Sequence, residues 1–372
     1  MKELVPDHQG MILVLMFIVG NTLVFPLGGL AGPDIWLAFL TATVLALPII
    51  LAMARVRSLM QGSTFFVGFE RVLGKWPSRI LAFLYGGFAW RLACYVVSDV
   101  SNFIQTVALP TTPPVVIATF LALLMLWAAK EGVEVLARFA VMVGKVVLAV
   151  LAIIFVLLLS QVDLGEFQPV LYNGFKPVLR GAFQILDFPF LETVVLFWVF
   201  DCFGRRVSPY KVFLPGFLAA SLVLLIMAST SLAVVGADRY ALYYYPVWTA
   251  VGRINVSTFL TRLEAIVGVT FAIGSFVKMA VALLAASRCF AYAFGFSDYR
   301  FVVTPLAMGV IAGSRWFITT VLEVDQSAVE THSPDEIMFQ VVIPLVVWAF
   351  AELKAKNGKA NGSSQAGGGE EV

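Results

Sequence analysis

The sequence predicts an all-α integral membrane protein of ten transmembrane helices, arranged as two inverted halves of five, with the first and sixth helices broken. Three observations predict it. The chain of 372 residues is 60% hydrophobic and only 13% charged, with a mean hydropathy of +0.92. A soluble fold of this length has no interior large enough for so much apolar surface. The apolar residues fall in long runs, and two of those runs carry residues that a continuous helix does not tolerate.

The ten runs lie at about 9–31, 34–54, 80–107, 113–130, 134–160, 180–203, 210–236, 258–287, 301–322 and 336–353. The start, MKELVPDHQG, is too polar and too weakly basic for a signal peptide, so the first run is expected to stay as a helix. At its middle stand Gly20, Asn21 and Thr22, followed by Phe25-Pro26-Leu27-Gly28. Glycine flexibility and the competing Asn and Thr side chains favour unwound backbone there. The sixth run reads GAFQILDFPFLETVVLFWVFDCF and holds Asp187, Pro189 and Glu192 within six residues. Proline inside a helix costs roughly 3 kcal/mol, and a carboxylate at mid-bilayer ~3 kcal/mol on insertion scales. Such a break has to face protein or a cavity. The broken helix leaves bare carbonyls on one side and bare amide hydrogens on the other, as at many transporter sites. A plain proline kink beside a buried carboxylate is the simpler alternative.

Five spans per half is odd, so the second half, about 180–353, enters the membrane opposite to the first, about 9–160. The whole of 1–355 is expected to be one membrane domain, and 356–372, Gly- and Ser-rich, a disordered tail. Basic residues set the orientation. With the N-terminus inside, sixteen Lys and Arg fall on the cytoplasmic side and four (Lys176, Arg180, Arg239, Arg253) outside, so both termini are cytoplasmic. The stretch 58–76 is amphipathic and is expected on the cytoplasmic surface. Tyr240, Tyr243, Tyr244, Tyr245 and Trp248 suit an interfacial aromatic belt or an outer lid.

Several charges stand inside apolar runs. Arg91, Tyr95, Ser98, Asp99 and Asn102 recur at helical spacing in the third. Two readings stand for them: a cavity wall with Tyr95 near a ligand, or an Arg91–Asp99 ion pair that fixes packing. Lys145 lies deep in the fifth run, either exchanging protons or replacing a bound cation, or snorkelling to the cytoplasmic face. In the eighth run Arg262 and Glu264 point to different faces, whereas Glu264, Gly268, Phe271, Ser275 and Lys278 share a stripe. No phosphate loop, nucleophile elbow or metal cluster stands out. Cys94, Cys202 and Cys289 are far apart in apolar sequence, and the net charge of +2 gives no argument for nucleic acid.

The strings DFPFLETVVLF, LYNGFKPVLRGAF and YYYPVWTAVGRINVSTFLTRLEAIVGVTFAIGSFVK resemble the B subunits of bacterial spore germination receptors, over roughly residues 5–355. That family lies in the amino acid–polyamine–organocation superfamily. The resemblance implies a LeuT-like 5+5 inverted repeat in the inner membrane of the endospore, with an A subunit, a lipoprotein C subunit and membrane lipid as partners and no cofactor. It implies a non-enzymatic role: binding a small germinant, often an amino acid, and starting germination. The germinant carboxylate would sit at Gly20, Asn21 and Thr22 and its amino group at the carbonyls of Leu186, Asp187 and Phe188 beside Pro189. Tyr95, Phe271 and Ser275 would close the pocket. The first break, GNTLVFPLG, departs from the fuller small-residue motif of amino acid permeases. Lys145 is reminiscent of proton-coupled permeases, so a proton-coupled amino acid symporter stands as the second reading, and Arg91, Asp99, Glu192, Arg262 and Glu264 as structural or gating charges.

Overall fold

A computed structural model describes residues 5–60, 65–200, 208–254, 263–317 and 334–366, and no strand occurs among them. Helix α1 (Asp7–Gly20) is apolar and mostly buried, and it ends where the predicted break begins. Gly28, at φ +68°, turns the chain into a short 3₁₀ segment, Gly29–Asp34, that leads into α2 (Ile35–Leu59). The amphipathic stretch forms α3 (Phe65–Leu73). Then follow α4 (Lys75–Val107), α5 (Pro114–Glu131) and α6 (Val133–Leu158).

The second half opens with α7 (Phe175–Ile185), and α8 (Val194–Val199) resumes after the break. Between them, Leu186–Phe190 winds into a wider π turn in which Phe188 leaves helical geometry at φ −130°, ψ 113°. Proline explains the departure: Pro189 has no amide hydrogen to give the preceding turn and its ring crowds that turn. Next come α9 (Pro209–Val235), two short loop helices, α10 (Ala237–Tyr240) and α11 (Pro246–Gly252), and then α12 (Glu264–Phe294). The last are α13 (Arg300–Phe317), the short α14 (Pro334–Ile337) and α15 (Ile343–Ala366), which runs into the segment read as a tail.

Among the described residues eight helical stretches are long and apolar enough to cross a membrane. The predicted first and ninth spans fall outside that set: α1 stops after 14 residues at its break, and the 18 residues of α13 include Arg300 and Arg315.

The bundle is organised around α12. It packs on α4 along most of its length and also on α1, α5, α6, α8 and α13. Small residues permit this closeness. At the α1–α12 crossing Gly20 faces Gly274, and a Cβ on Gly20 would lie 2.2 Å from the Gly274 carbonyl oxygen. Large apolar side chains such as Phe120, Trp127, Met142, Ile153 and Leu222 are exposed around the periphery, the place where lipid chains replace water.

The two ends of the bundle differ. One end, called basic below, gathers Arg55, Arg57, Arg79, Arg288 and Arg300; here Arg300 Nε donates to the Lys130 carbonyl at 2.8 Å. At the opposite end the loops are tied to each other. Leu171 N donates to Asp34 at 3.0 Å, Ala237 N to Glu166 Oε2 at 2.7 Å, and Arg253 Nη1 to the Val234 carbonyl at 2.7 Å.

Candidate functional site

Both broken helices expose backbone carbonyls, and α12 and the turn Met338–Val342 that precedes α15 supply side chains to meet them. Ser275 Oγ donates to the Gly20 carbonyl at 3.2 Å and lies 3.3 Å from Asn21 Oδ1. Thr22 Oγ1 bonds back to the Ile18 carbonyl, satisfying an acceptor that the broken helix leaves bare. Across the site, Gln340 Nε2 donates to the Asp187 carbonyl at 3.2 Å. Further along, Arg288 Nη1 caps the end of α8 through the Val199 carbonyl at 2.7 Å. One long helix, α12, therefore holds both breaks. A polar site inside a membrane bundle has to be satisfied in this way, because lipid offers no hydrogen bonds.

Two sets of charges flank the breaks. Asn21, fully buried, donates through Nδ2 to Asp99 Oδ2 at 2.8 Å. Lys278, also fully buried, forms an ion pair with Glu192 Oε2. Its ammonium also stands over the Phe188 ring at 4.7 Å and the Phe17 ring at 5.5 Å from the centroids, a cation–π arrangement. Nearby, Arg91 Nη2 lies 3.6 Å from Glu336 Oε1, and the Glu336 carboxyl sits beside that of Asp187.

Aromatic rings close the site on the side away from the basic end. Phe25 touches Phe188 at 5.8 Å, Tyr245 at 6.0 Å and Phe271 at 6.1 Å. Phe103 packs on Phe271 at 4.8 Å, Tyr245 at 4.9 Å and Trp248 at 5.4 Å. Tyr240 and Tyr245 are buried, so the tyrosine-rich loop forms a lid over the bundle rather than a belt facing lipid.

Toward the basic end α3 plays the complementary part. Phe65 packs on Phe197 at 4.6 Å and on Trp198 at 5.1 Å, and Phe69 on Trp198 at 5.1 Å. The helix is held there by Tyr292 Oη, which donates to Glu70 Oε1 at 2.9 Å, and by Ser78 Oγ, which donates to the Phe69 carbonyl at 3.1 Å. The stretch expected to lie on the membrane surface instead buries Phe65 and Phe69 beneath the sixth helix. A small cavity lined by Met53, Val56, Phe69, Tyr85 and Trp198 adjoins it.

Gly20, Asn21, Thr22, Leu186, Asp187, Phe188, Pro189, Glu192, Phe271 and Ser275 come together at the two breaks, with Asp99. Lys145 does not. It lies on the exposed flank of α6, one residue and thus about 100° round from Gly144, which packs on α1. The lysine inside the site is Lys278. Nor does Arg91 pair with Asp99. Eight residues along a helix is about 12 Å, and the Arg91 ion pair is with Glu336. Tyr95 is half-buried on the side of α4 that meets α13, its ring 5.7 Å from Phe317. Glu264 begins α12, half-exposed, and Arg262 lies outside the described residues. Sequence reasoning passed over Phe25, Glu336 and Gln340. A lone glutamine in the apolar run MFQVVIPLVV was the available signal for Gln340.

Comparison with known proteins agrees with this architecture. The family described as spore germination protein matches residues 4–318. Spore germination protein KB of Bacillus subtilis (strain 168) is 24% identical over 363 residues, covering 95% of this chain and 96% of the relative. Among solved structures, the nucleobase-cation-symport-1 family transporter Mhp1, closed with bromovinylhydantoin bound, superposes with a TM-score of 0.60 at 15% identity. The match covers 86% of this chain and 75% of that one. MhsT in complex with L-phenylalanine gives 0.57 at 13% identity, covering 92% and 88%. At these identities the likeness is one of fold, and that fold is LeuT-like, as the paired breaks lead one to expect. The chain belongs to the spore germination permease family.

Proposed function

We propose that this chain is the germinant-sensing membrane subunit of a spore germination receptor. A small nutrient, an amino acid in the first instance, binds between the two helix breaks and triggers germination. The observation that carries the reading is the pair of breaks held by one helix, with Ser275 on the Gly20 carbonyl and Lys278 on Glu192. A ligand that draws the breaks together or apart has to move α12, and α12 touches α4, α5, α6 and α13. The chain works in the inner membrane of the endospore, termini on the cytoplasmic side, with an A subunit and a C lipoprotein that carry the signal onward. Gly20, Asn21, Thr22, Leu186, Asp187, Phe188, Pro189, Phe271 and Ser275 line the ligand; Tyr95 stands behind them on α4.

The test is the germination response of spores carrying Asn21→Ala, Asp187→Ala or Pro189→Ala. Each variant is expected to reach the membrane and to lose the response; a normal response from all three removes the reading. Proton-coupled amino acid symport is the second reading, favoured by a lysine–glutamate pair buried inside a transporter fold. Uptake into proteoliposomes with and without a pH gradient decides it: symport requires a flux that collapses without the gradient and in a Lys278→Met variant.

A further inference from the structure

We propose that Asp99 is the receptor for a positively charged ammonium group on the ligand, so that the site takes primary amines and rejects the corresponding free acids. This rests on the reading of the helix breaks as the ligand site. Asp99 is only 7% exposed. Its Oδ2 accepts from Asn21 Nδ2, and no hydrogen bond to Oδ1 occurs among the described residues. The nearest cation, Lys278, is already engaged with Glu192 and with two ring faces. Two carboxylates, Asp99 and Glu192, thus stand near one ammonium, and the ammonium pairs with Glu192 while Asp99 is met by the neutral Asn21 amide. A buried carboxylate in that position either takes up a proton or keeps its charge beside a counter-charge, and a ligand ammonium supplies the second.

The surroundings suit an ammonium in their chemistry. The Asn21 side chain is oriented at both ends, its amide nitrogen on Asp99 and its oxygen by Ser275 Oγ at 3.3 Å. The adjoining Gly20 carbonyl points the same way, accepting from Ser275 at 3.2 Å, and a carbonyl oxygen accepts from a second donor as readily as from one. Above, Phe25, Phe271 and Tyr245 form a ring cluster. Ring faces attract a cation and repel an anion. A ligand carboxylate at Gly20, Asn21 and Thr22, the placement that family resemblance implies, would face the buried Asp99 side chain, and like charges repel. The ligand is therefore held amine-first at the first break.

The experiment is a thermal-shift titration of the purified full-length chain in detergent. The probes are matched triplets: L-alanine with ethylamine and propionate, L-phenylalanine with phenethylamine and 3-phenylpropionate, and the same for leucine and valine. Sodium and potassium chloride against choline chloride form separate arms. Within the triplet that binds, the amino acid and the amine are expected to raise the melting temperature and the acid to leave it unchanged. Asp99→Asn, nearly the same in shape, should weaken both at least tenfold, and Asp99→Glu should restore amine binding. The inference is overturned if the free acid binds as well as the amino acid, if Asp99→Asn binds unchanged, or if an inorganic cation stabilises where no amine does. If no compound shifts the wild-type protein, either alone or with the proposed A and C subunits, the reading of the breaks as a ligand site fails, and this inference with it.

Discussion

At the scale of single residues, the buried Lys278–Glu192 pair is the tether between α12 and the broken sixth helix. Removing one member leaves an uncompensated charge in the interior, which costs about 3–5 kcal/mol, whereas removing both is nearly neutral. Lys278→Met and Glu192→Gln are therefore each expected to lower the melting temperature in detergent sharply, and the double variant to recover most of the loss. Strictly additive losses would contradict the pairing. Gly20→Ala is expected to be as damaging, since its Cβ would meet the Gly274 carbonyl at 2.2 Å and force α1 off α12. Retained ligand binding in a Gly20→Ala variant would show that the contact is not needed. The sequence made Glu192 legible as a charge that has to be buried, and Lys278 as one member of a stripe with Ser275. It did not pair them, because they stand 86 residues apart and only the fold brings them together. Lys145 and Lys278 look alike as letters in an apolar run. What separates them is helix rotation: Lys145 points off the flank of α6, while Lys278 points into the centre.

At the scale of elements, both breaks could be read from residue chemistry alone. Glycine, proline and back-bonding Thr weaken a helix wherever they occur, and Gly20–Thr22 and Pro189 act locally. The closing elements were less legible. The stretch 58–76 has the amphipathic pattern of a surface helix, and pattern alone does not say whether its apolar face meets lipid or protein. In the structure α3 meets Phe197 and Trp198, plugging the basic end of the site, while Tyr245 and Trp248 cover the other. If α3 is a plug, a cysteine at Trp198, in a background with Cys202 replaced by serine, should react slowly with a water-soluble maleimide. The same cysteine should react several-fold faster once Phe65 is also alanine; equal rates would mean that α3 does not gate access. Tyr245→Ala should speed ligand release more than it slows binding, as loss of a lid does, and stopped-flow dissociation measures this.

At the scale of the whole molecule, composition and run length settled the class, and the LeuT-like arrangement follows from two breaks at matching places in the two halves. The count of ten was less secure in the sequence than the breaks: the very interruptions that mark the site shorten α1 to 14 residues, and Arg300 and Arg315 dilute α13. The basic end gathers charges from α2, α4, α12 and α13, which predicts that both termini face the cytoplasm; protease accessibility in oriented vesicles should cleave a terminal tag from that side only. Above all else, the paired breaks are proposed to hold a small nutrient. A thermal-shift screen of the purified chain, alone and with the proposed A and C subunits, against the twenty amino acids is the sharpest test. Binding to the folded state adds about 2.7 kcal/mol at a hundred times the dissociation constant, well within reach of the method. At least one amino acid is expected to raise the melting temperature, and the shift is expected to disappear in Asn21→Ala and Pro189→Ala. No shift from any of them in either preparation, or a shift that survives both substitutions, would contradict it.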